Sequence, residues 1–192
     1  MSPPKRLVLA SASPRRRDLL ARAGLDFRIE PSEADETMPA GLSPEDAAVA
    51  LARRKARAVA SRANGEVVIA ADTIVVAESG EILGKPSGPA DARRMLETLS
   101  ASTHSVTTGV VIIDTRSGRE LSRAVTTEIV FAAMSDEEID RYIQSGEPMG
   151  KAGAYAIQET ADRFVREVRG SFSNVVGLPM EAVEEMLAHI DS

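Results

Sequence analysis

Several short segments of this chain bring together residue types that can do chemistry. Ser11-Ala-Ser-Pro-Arg-Arg-Arg17 places hydroxyls and three guanidinium groups around Ser13-Pro14, a favoured N-cap followed by proline at the first helical position. A helix N-terminus presents unpaired N–H groups and about half a positive charge, which attracts anions. Arg15 and Arg16 in that first turn are disfavoured by the helix dipole unless a polyanion binds between them and the helix end. From spacing alone, a phosphate site and a solvated run of charge both stay open. Asp72-Thr73 lies between Val67-Val-Ile-Ala-Ala71 and Ile74-Val-Val-Ala77. A carboxylate in so apolar a stretch is costly to bury unless it is paired or binds metal. Asp72 therefore reads as a metal ligand or general base, or else as a structural residue at a turn between two short strands.

Three further segments are weaker. Gly80-Glu-Ile-Leu-Gly84-Lys85-Pro86 is not a P-loop: three residues separate the glycines where that motif needs four, and Pro86 stands where a Ser/Thr hydroxyl belongs. Lys85 stays open as a phosphate contact or a turn lysine. In Ser145 to Gln158, small residues surround Lys151 and Tyr155, so that backbone can approach either a ligand or the sheet. Gly170 to Pro179 leads into a last helix, a second candidate anion-binding end. His104 and His189 read as structural, and Met134, Met149, Met180 and Met186 as core filler.

The elements needed to position these residues are legible from pattern. Apolar or β-branched runs predict strands at Leu7–Ala10, Phe27–Glu30, Val67–Ala71, Thr73–Ala77, Val106–Asp114, Ala124–Phe131 and Phe164–Val168. Ser13-Pro14 opens a helix to about Ala23, with Gly24 as its stop, and Ser43-Pro44 opens an Ala-rich helix with a basic far end. Further helices are predicted over Asp91–Leu99, from the Ser135-Asp-Glu-Glu138 capping box to Gln144, and from Leu178-Pro179 to His189. Residues 31–42 and 146–153 read as loops, and Arg116-Ser117-Gly118 as the turn of a long hairpin. Strands and helices alternate at both ends around this hairpin, which predicts an α/β fold with a mixed, twisted sheet and flanking helices.

The 192 residues suffice for one domain with a real core, and no linker or repeat divides them. The formal net charge of −6 argues against a general nucleic-acid-coating protein. With no Cys, disulfides, thiolate metal sites and a Cys nucleophile are excluded, and two His do not suffice for a His-rich zinc site. Leu7–Ala10 is too short for a signal-peptide core or a membrane span, so a cytoplasmic protein without membrane partners is expected.

Taken together, the segments resemble the Maf family of nucleoside triphosphate pyrophosphatases. The resemblance is carried by Leu9-Ala-Ser-Ala-Ser-Pro-Arg-Arg16, Ala70-Ala-Asp-Thr73, Gly84-Lys-Pro86, His104-Ser-Val106 with Thr108-Gly-Val110, Gly146-Glu-Pro-Met149, Lys151-Ala-Gly-Ala-Tyr155 and Asn174-Val-Val-Gly-Leu-Pro179. The order and spacing of these motifs extend over roughly residues 7 to 187. Lys151 to Tyr155 with Ile157-Gln158 resembles the branch acting on dTTP and UTP, not the sister branch that prefers 7-methyl-GTP.

The resemblance implies attack of water on the α-phosphorus, giving a nucleoside monophosphate and pyrophosphate, with a divalent cation, Mg²⁺ or Mn²⁺. It implies a fold related to the inosine triphosphate pyrophosphatases, with two lobes around a central groove, and a homodimer. The implied cellular role is clearance of noncanonical nucleotides, with a link to cell-division arrest. On this chain Asp72 matches the catalytic proton acceptor and metal-binding carboxylate. Arg15, Thr73 and Gln158 match base-selecting positions; Arg16, Lys55 and Lys85 match the basic residues around the phosphates, and Ser11 adds a hydroxyl. Glu36 matches an acidic position beside the site and metal, with Asp35 the competing choice. Gly150 stands where the branch has Asp, and Glu159-Thr160 follows Gln158 where the family has Gly. The same reaction on purine or modified nucleotides is one alternative. Another is a nucleotide-binding regulator of septum formation that acts through a protein partner without turnover.

Overall fold

A computed structural model describes residues 6–158 and 160–190. The elements are β1 (Leu7–Leu9), α1 (Pro14–Arg22), β2 (Phe27–Ile29), α2 (Pro44–Ala60), β3 (Val67–Val76), β4 (Ile82–Leu83), α3 (Pro89–Leu99), β5 (Thr103–Asp114), β6 (Glu120–Phe131), α4 (Asp136–Gln144), β7 (Val165–Arg169), α5 (Phe172–Val176) and α6 (Met180–His189). The strands form one seven-stranded mixed sheet in the order β2-β1-β3-β5-β6-β7, with β4 beside β3. β1 pairs parallel to both β2 and β3, while β3/β4 and β6/β7 pair antiparallel. This is the α/β architecture with a mixed sheet that the pattern predicts.

The predicted helix starts form for local reasons. Ser13 accepts from the Arg16 amide, Ser43 from that of Asp46, and Ser135 and Glu138 close a reciprocal capping box, each cap worth about 1 kcal/mol. At the end of α1 the chain turns through Gly24 at φ +73, a conformation that suits glycine.

The differences from expectation are mostly tertiary. Val67–Ala71 and Thr73–Ala77 are not two strands broken at Asp72. They are one ten-residue strand, paired with β1 over Val67–Ile69 and with β4 over Val75–Val76. β4, two residues opposite Val75–Val76, and α5, one short turn, have no sequence period to reveal them. α3 begins at Pro89, which occupies its first turn. Met186 is buried and Met134 and Met180 pack partly against core, but Met149 is 40% exposed and fills no core. It follows Gly146-Glu-Pro in a turn closed by its own N–H, which bonds the Gly146 carbonyl.

Packing divides the chain into two compact units. The first comprises Met1–Asp72, Thr108–Val125 and Gly177–Ser192; the second comprises Thr73–Thr107 and Thr126–Val176. In the first unit one cluster joins Leu9, Leu20, Ile69, Ile112, Leu178 and Val183, and another joins Val8, Ala52, Ala56, Val59, Val68 and Val111. Together they sandwich the sheet between α1 with α6 and α2. In the second unit Leu96, Leu99, Phe131, Ile139, Tyr142, Tyr155 and Phe164 share one core.

Candidate active site

Lys55 arrives at the site through helix geometry. Leu51, Lys55 and Val59 recur at i, i+4, so the ammonium lies on the buried stripe of α2. The alanines of that stripe are small, and Gly109 of β5 lets the helix come closer still. A Cβ on Gly109 would lie 2.3 Å from the Ala48 carbonyl carbon, a distance no side chain tolerates. Glycine inside a strand pattern signals such an approach, although the sequence does not name the partner.

Two carboxylates meet this ammonium. Lys55 Nζ donates to Asp72 Oδ1 at 2.6 Å and forms an ion pair with Glu36 Oε1 at 2.6 Å. The Lys55 and Asp72 side chains are only 11% and 15% exposed, whereas Glu36 is 53% exposed and faces solvent on one side. Desolvation makes each charge dependent on its partners. Asp35, the competing acidic choice, is committed elsewhere: its Oδ1 accepts from the Thr37 amide at 2.8 Å and the Thr37 hydroxyl at 2.6 Å. These bonds hold its carboxyl below the usual range. Arg54, which sequence reasoning missed, donates to the Thr37 carbonyl at 2.8 Å and so fastens the loop that presents Glu36. It lies next to Lys55 on the exposed side of α2, within an ordinary basic run, and the sequence carries no sign of this role.

At the N-terminus of α1, Arg16 is held from two directions. Its Nε donates to the Gly177 carbonyl at 2.7 Å and its Nη1 to Ser11 Oγ at 3.3 Å. Ser11 also accepts from the Ser13 amide at 3.2 Å. Burial lowers the pKa of Arg16; Asp72 and Glu36 oppose that shift by attraction, and Arg15 adds to it by repulsion. The structure thus brings Ser11, Arg15, Arg16, Glu36, Lys55 and Asp72 together within the first unit.

Thr73, Lys85 and Gln158 belong to the second unit. There Lys85 and Gln158 are exposed, and Gly84, just before Lys85, accepts at its carbonyl from the Gly153 amide at 3.1 Å. Gly150 has φ +75, so a left-handed turn is built where the family pattern has Asp. Glu159 lies outside the described residues. Thr160 starts a short 3-10 turn and bonds Glu147 through its amide at 3.2 Å and its hydroxyl at 2.5 Å.

Asp72 and Glu36 fit a hard divalent cation. Mg²⁺ is commonly held by one or two carboxylates, with water and substrate phosphates completing its octahedron. Lys55 Nζ marks a point at which both carboxylates already meet a positive charge. Among the described residues no group of three or more His, Asp or Glu forms a closed metal cage.

A family model described as Maf-like protein matches residues 6–190. The chain is 53% identical over 184 residues to the dTTP/UTP pyrophosphatase of Anaeromyxobacter dehalogenans (strain 2CP-C), covering 95% of this chain and 92% of that one. It is 46% identical over 183 residues to the dTTP/UTP pyrophosphatase of Pelotomaculum thermopropionicum, covering 95% of each. Against that of Thermococcus gammatolerans it is 52% identical over 177 residues, covering 92% of each. Among solved structures, the Staphylococcus aureus Ham1 protein superposes with a TM-score of 0.56 at 13% identity, covering 96% of this chain and 99% of that one. That likeness is one of fold.

Proposed function

Because this chain belongs to the Maf family, we propose that it hydrolyses dTTP and UTP to the nucleoside monophosphate and pyrophosphate. The observation that carries the reading is the meeting of Asp72 and Glu36 on Lys55 Nζ, beside the half-buried guanidinium of Arg16. A polyanion needs positive charge that is already fixed and oriented; Arg16, held by the Gly177 carbonyl and Ser11, supplies it, and Lys55 adds to it once a cation shares its two carboxylates. Arg15 extends the same grip along the phosphates, with the Ser11 hydroxyl beside Arg16; the family motif Gly84-Lys-Pro86 assigns Lys85 to the phosphates as well. Asp72 accepts the proton of the attacking water; the new bond forms at the α-phosphorus, the α–β bridging bond breaks, and pyrophosphate leaves. Asp72 and Glu36 would hold Mg²⁺ or Mn²⁺, which supplies an acidified water and neutralises phosphate charge. Gln158 offers a donor and an acceptor, as does the pairing edge of uracil or thymine; the family motifs assign Thr73 and Arg15 to base selection as well.

The reading places the enzyme in the cytoplasm as a homodimer, with cell-division arrest as a downstream consequence. No helix among the described residues is long and apolar enough to cross a membrane. A regulator without turnover is not favoured, since the relatives above carry the names of pyrophosphatases over more than nine-tenths of the chain. The deciding experiment is a panel of pyrimidine, purine and modified triphosphates with Mg²⁺ or Mn²⁺. Pyrophosphate should appear from dTTP and UTP. Orthophosphate release, or no turnover of any triphosphate, would refute the proposal.

A further inference from the structure

The second unit contains a buried polar pair that the reaction above does not use. His104 of β5 is 2% exposed and Tyr155 is 6% exposed. His104 Nε2 lies 2.8 Å from the Tyr155 hydroxyl, and His104 Nδ1 is buried with no hydrogen-bond partner. The two rings and Phe131 pack edge to face, with centroids 4.8, 5.4 and 4.9 Å apart. Placing two polar side chains in an apolar core is costly, and their mutual bond is what makes it tolerable.

Tyr155 ends a tightly constrained segment. Gly153 and Ala154 both have positive φ, +69 and +60, a conformation that strains alanine and persists only where the surroundings impose it. Gly153 is pressed against Val75, where an added Cβ would lie 3.0 Å from Cγ1, and its amide is bonded to the Gly84 carbonyl. Beyond Tyr155 the chain emerges to the exposed Gln158, and Thr160 is then tied to Glu147. Gln158 therefore follows a buried stretch, Tyr155 to Ile157, in which Tyr155 makes the polar bond, and is followed by Thr160, tied at the surface to Glu147.

We propose that His104 and Tyr155 are positioning residues for base discrimination: their buried hydrogen bond fixes the segment 151–158 and through it the placement of Gln158. The inference rests on the pyrimidine reading only where it assigns Gln158 to the base; the anchoring itself does not depend on it. Tyr155→Phe keeps the ring packing and deletes the bond. KM for dTTP and UTP should then rise about fivefold with kcat within about twofold, the loss expected from one hydrogen bond that positions Gln158.

Tyr155→Phe also leaves the buried His104 ring without its bond and should lower thermal stability; the double variant His104→Leu with Tyr155→Phe removes both polar partners, so stability should return towards wild type while KM stays raised. If KM returns together with stability, the bond serves folding alone and the inference is wrong. Hydrogen exchange separates this failure from failure of the function reading. In Tyr155→Phe the Gly153 amide should exchange about tenfold faster, with β1 amides unchanged. Unchanged exchange there would overturn the anchoring whatever the substrate is. Absent turnover by the wild type, together with faster exchange in the variant, would sink only the function reading.

Discussion

Asp72 and Lys55 show how little of a site need be charged for it to act on charge. Their 2.6 Å bond sits among buried aliphatic side chains, where electrostatic interactions weaken little with solvent. Asp72→Asn preserves size and one acceptor oxygen but cannot take a proton at neutral pH. Turnover should fall by about a hundredfold or more, with the circular dichroism spectrum unchanged; activity near wild type would remove Asp72 from its proposed role. His104 makes a separate prediction about acid. Burial lowers its pKa to about 4, from 6.5 in the unfolded chain, and the group it faces is the neutral Tyr155 hydroxyl, itself pushed up by burial. The unfolded chain therefore takes up the proton first. Stability from this group is complete above pH 6.5 and is lost as pH falls towards 4, by roughly 3 kcal/mol in all. Urea midpoints measured across that range should fall with pH, and His104→Gln should flatten the slope.

At the scale of elements, α2 and β3 are the pair that brings Lys55 to Asp72, and the close approach of α2 to β5 at Gly109 sets where the helix lies. Gly109→Ala puts a methyl into the Ala48 backbone, so the helix must lift or the strand must bend. The cost should be about 1–3 kcal/mol, read as a lower urea midpoint with the slope unchanged. Because the displaced helix carries Lys55, turnover should fall as well. A wild-type midpoint would show that helix and strand have slack at this point. The starts of α1, α2 and α4 were legible in the sequence because a cap and its amide are three residues apart. The joining of β3 through Asp72 was not, since an isolated Asp among β-branched residues reads equally well as a break. In the fold the strand is continuous from its pairing with β1 at Val67–Ile69 to its pairing with β4 at Val75–Val76.

Across the whole molecule, net charge and local charge have opposite signs. The chain carries −6, which repels a triphosphate at long range, so the proposed reading rests on the cations it assigns to the phosphates, Arg15, Arg16, Lys55 and Lys85. The Debye length shrinks from about 10 Å at 0.1 M salt to about 3 Å at 1 M, so added salt screens the exposed cations most. KM for the triphosphate should therefore rise several-fold with ionic strength while kcat changes little, as initial rates in graded potassium chloride would report. A KM indifferent to salt would mean that these side chains do not hold the phosphates.

Interactions between near neighbours in the chain can be read from residue order alone: the Ser-Pro helix starts, the hairpin turn, the apolar runs that become β1, β5 and β6, and the family motifs carrying Arg16, Asp72 and Lys85. Each depends on a few consecutive residues, so their succession settles the outcome. Contacts between residues far apart cannot be read in this way. Glu36 and not Asp35 reaches Lys55, Arg54 clamps the intervening loop, Arg16 grips a carbonyl 161 residues away, and His104 finds Tyr155 51 residues on. The choice between two adjacent carboxylates turns on which one the folded loop points at the ammonium and which is drawn into a local turn. That direction is fixed only when helix and strand have packed.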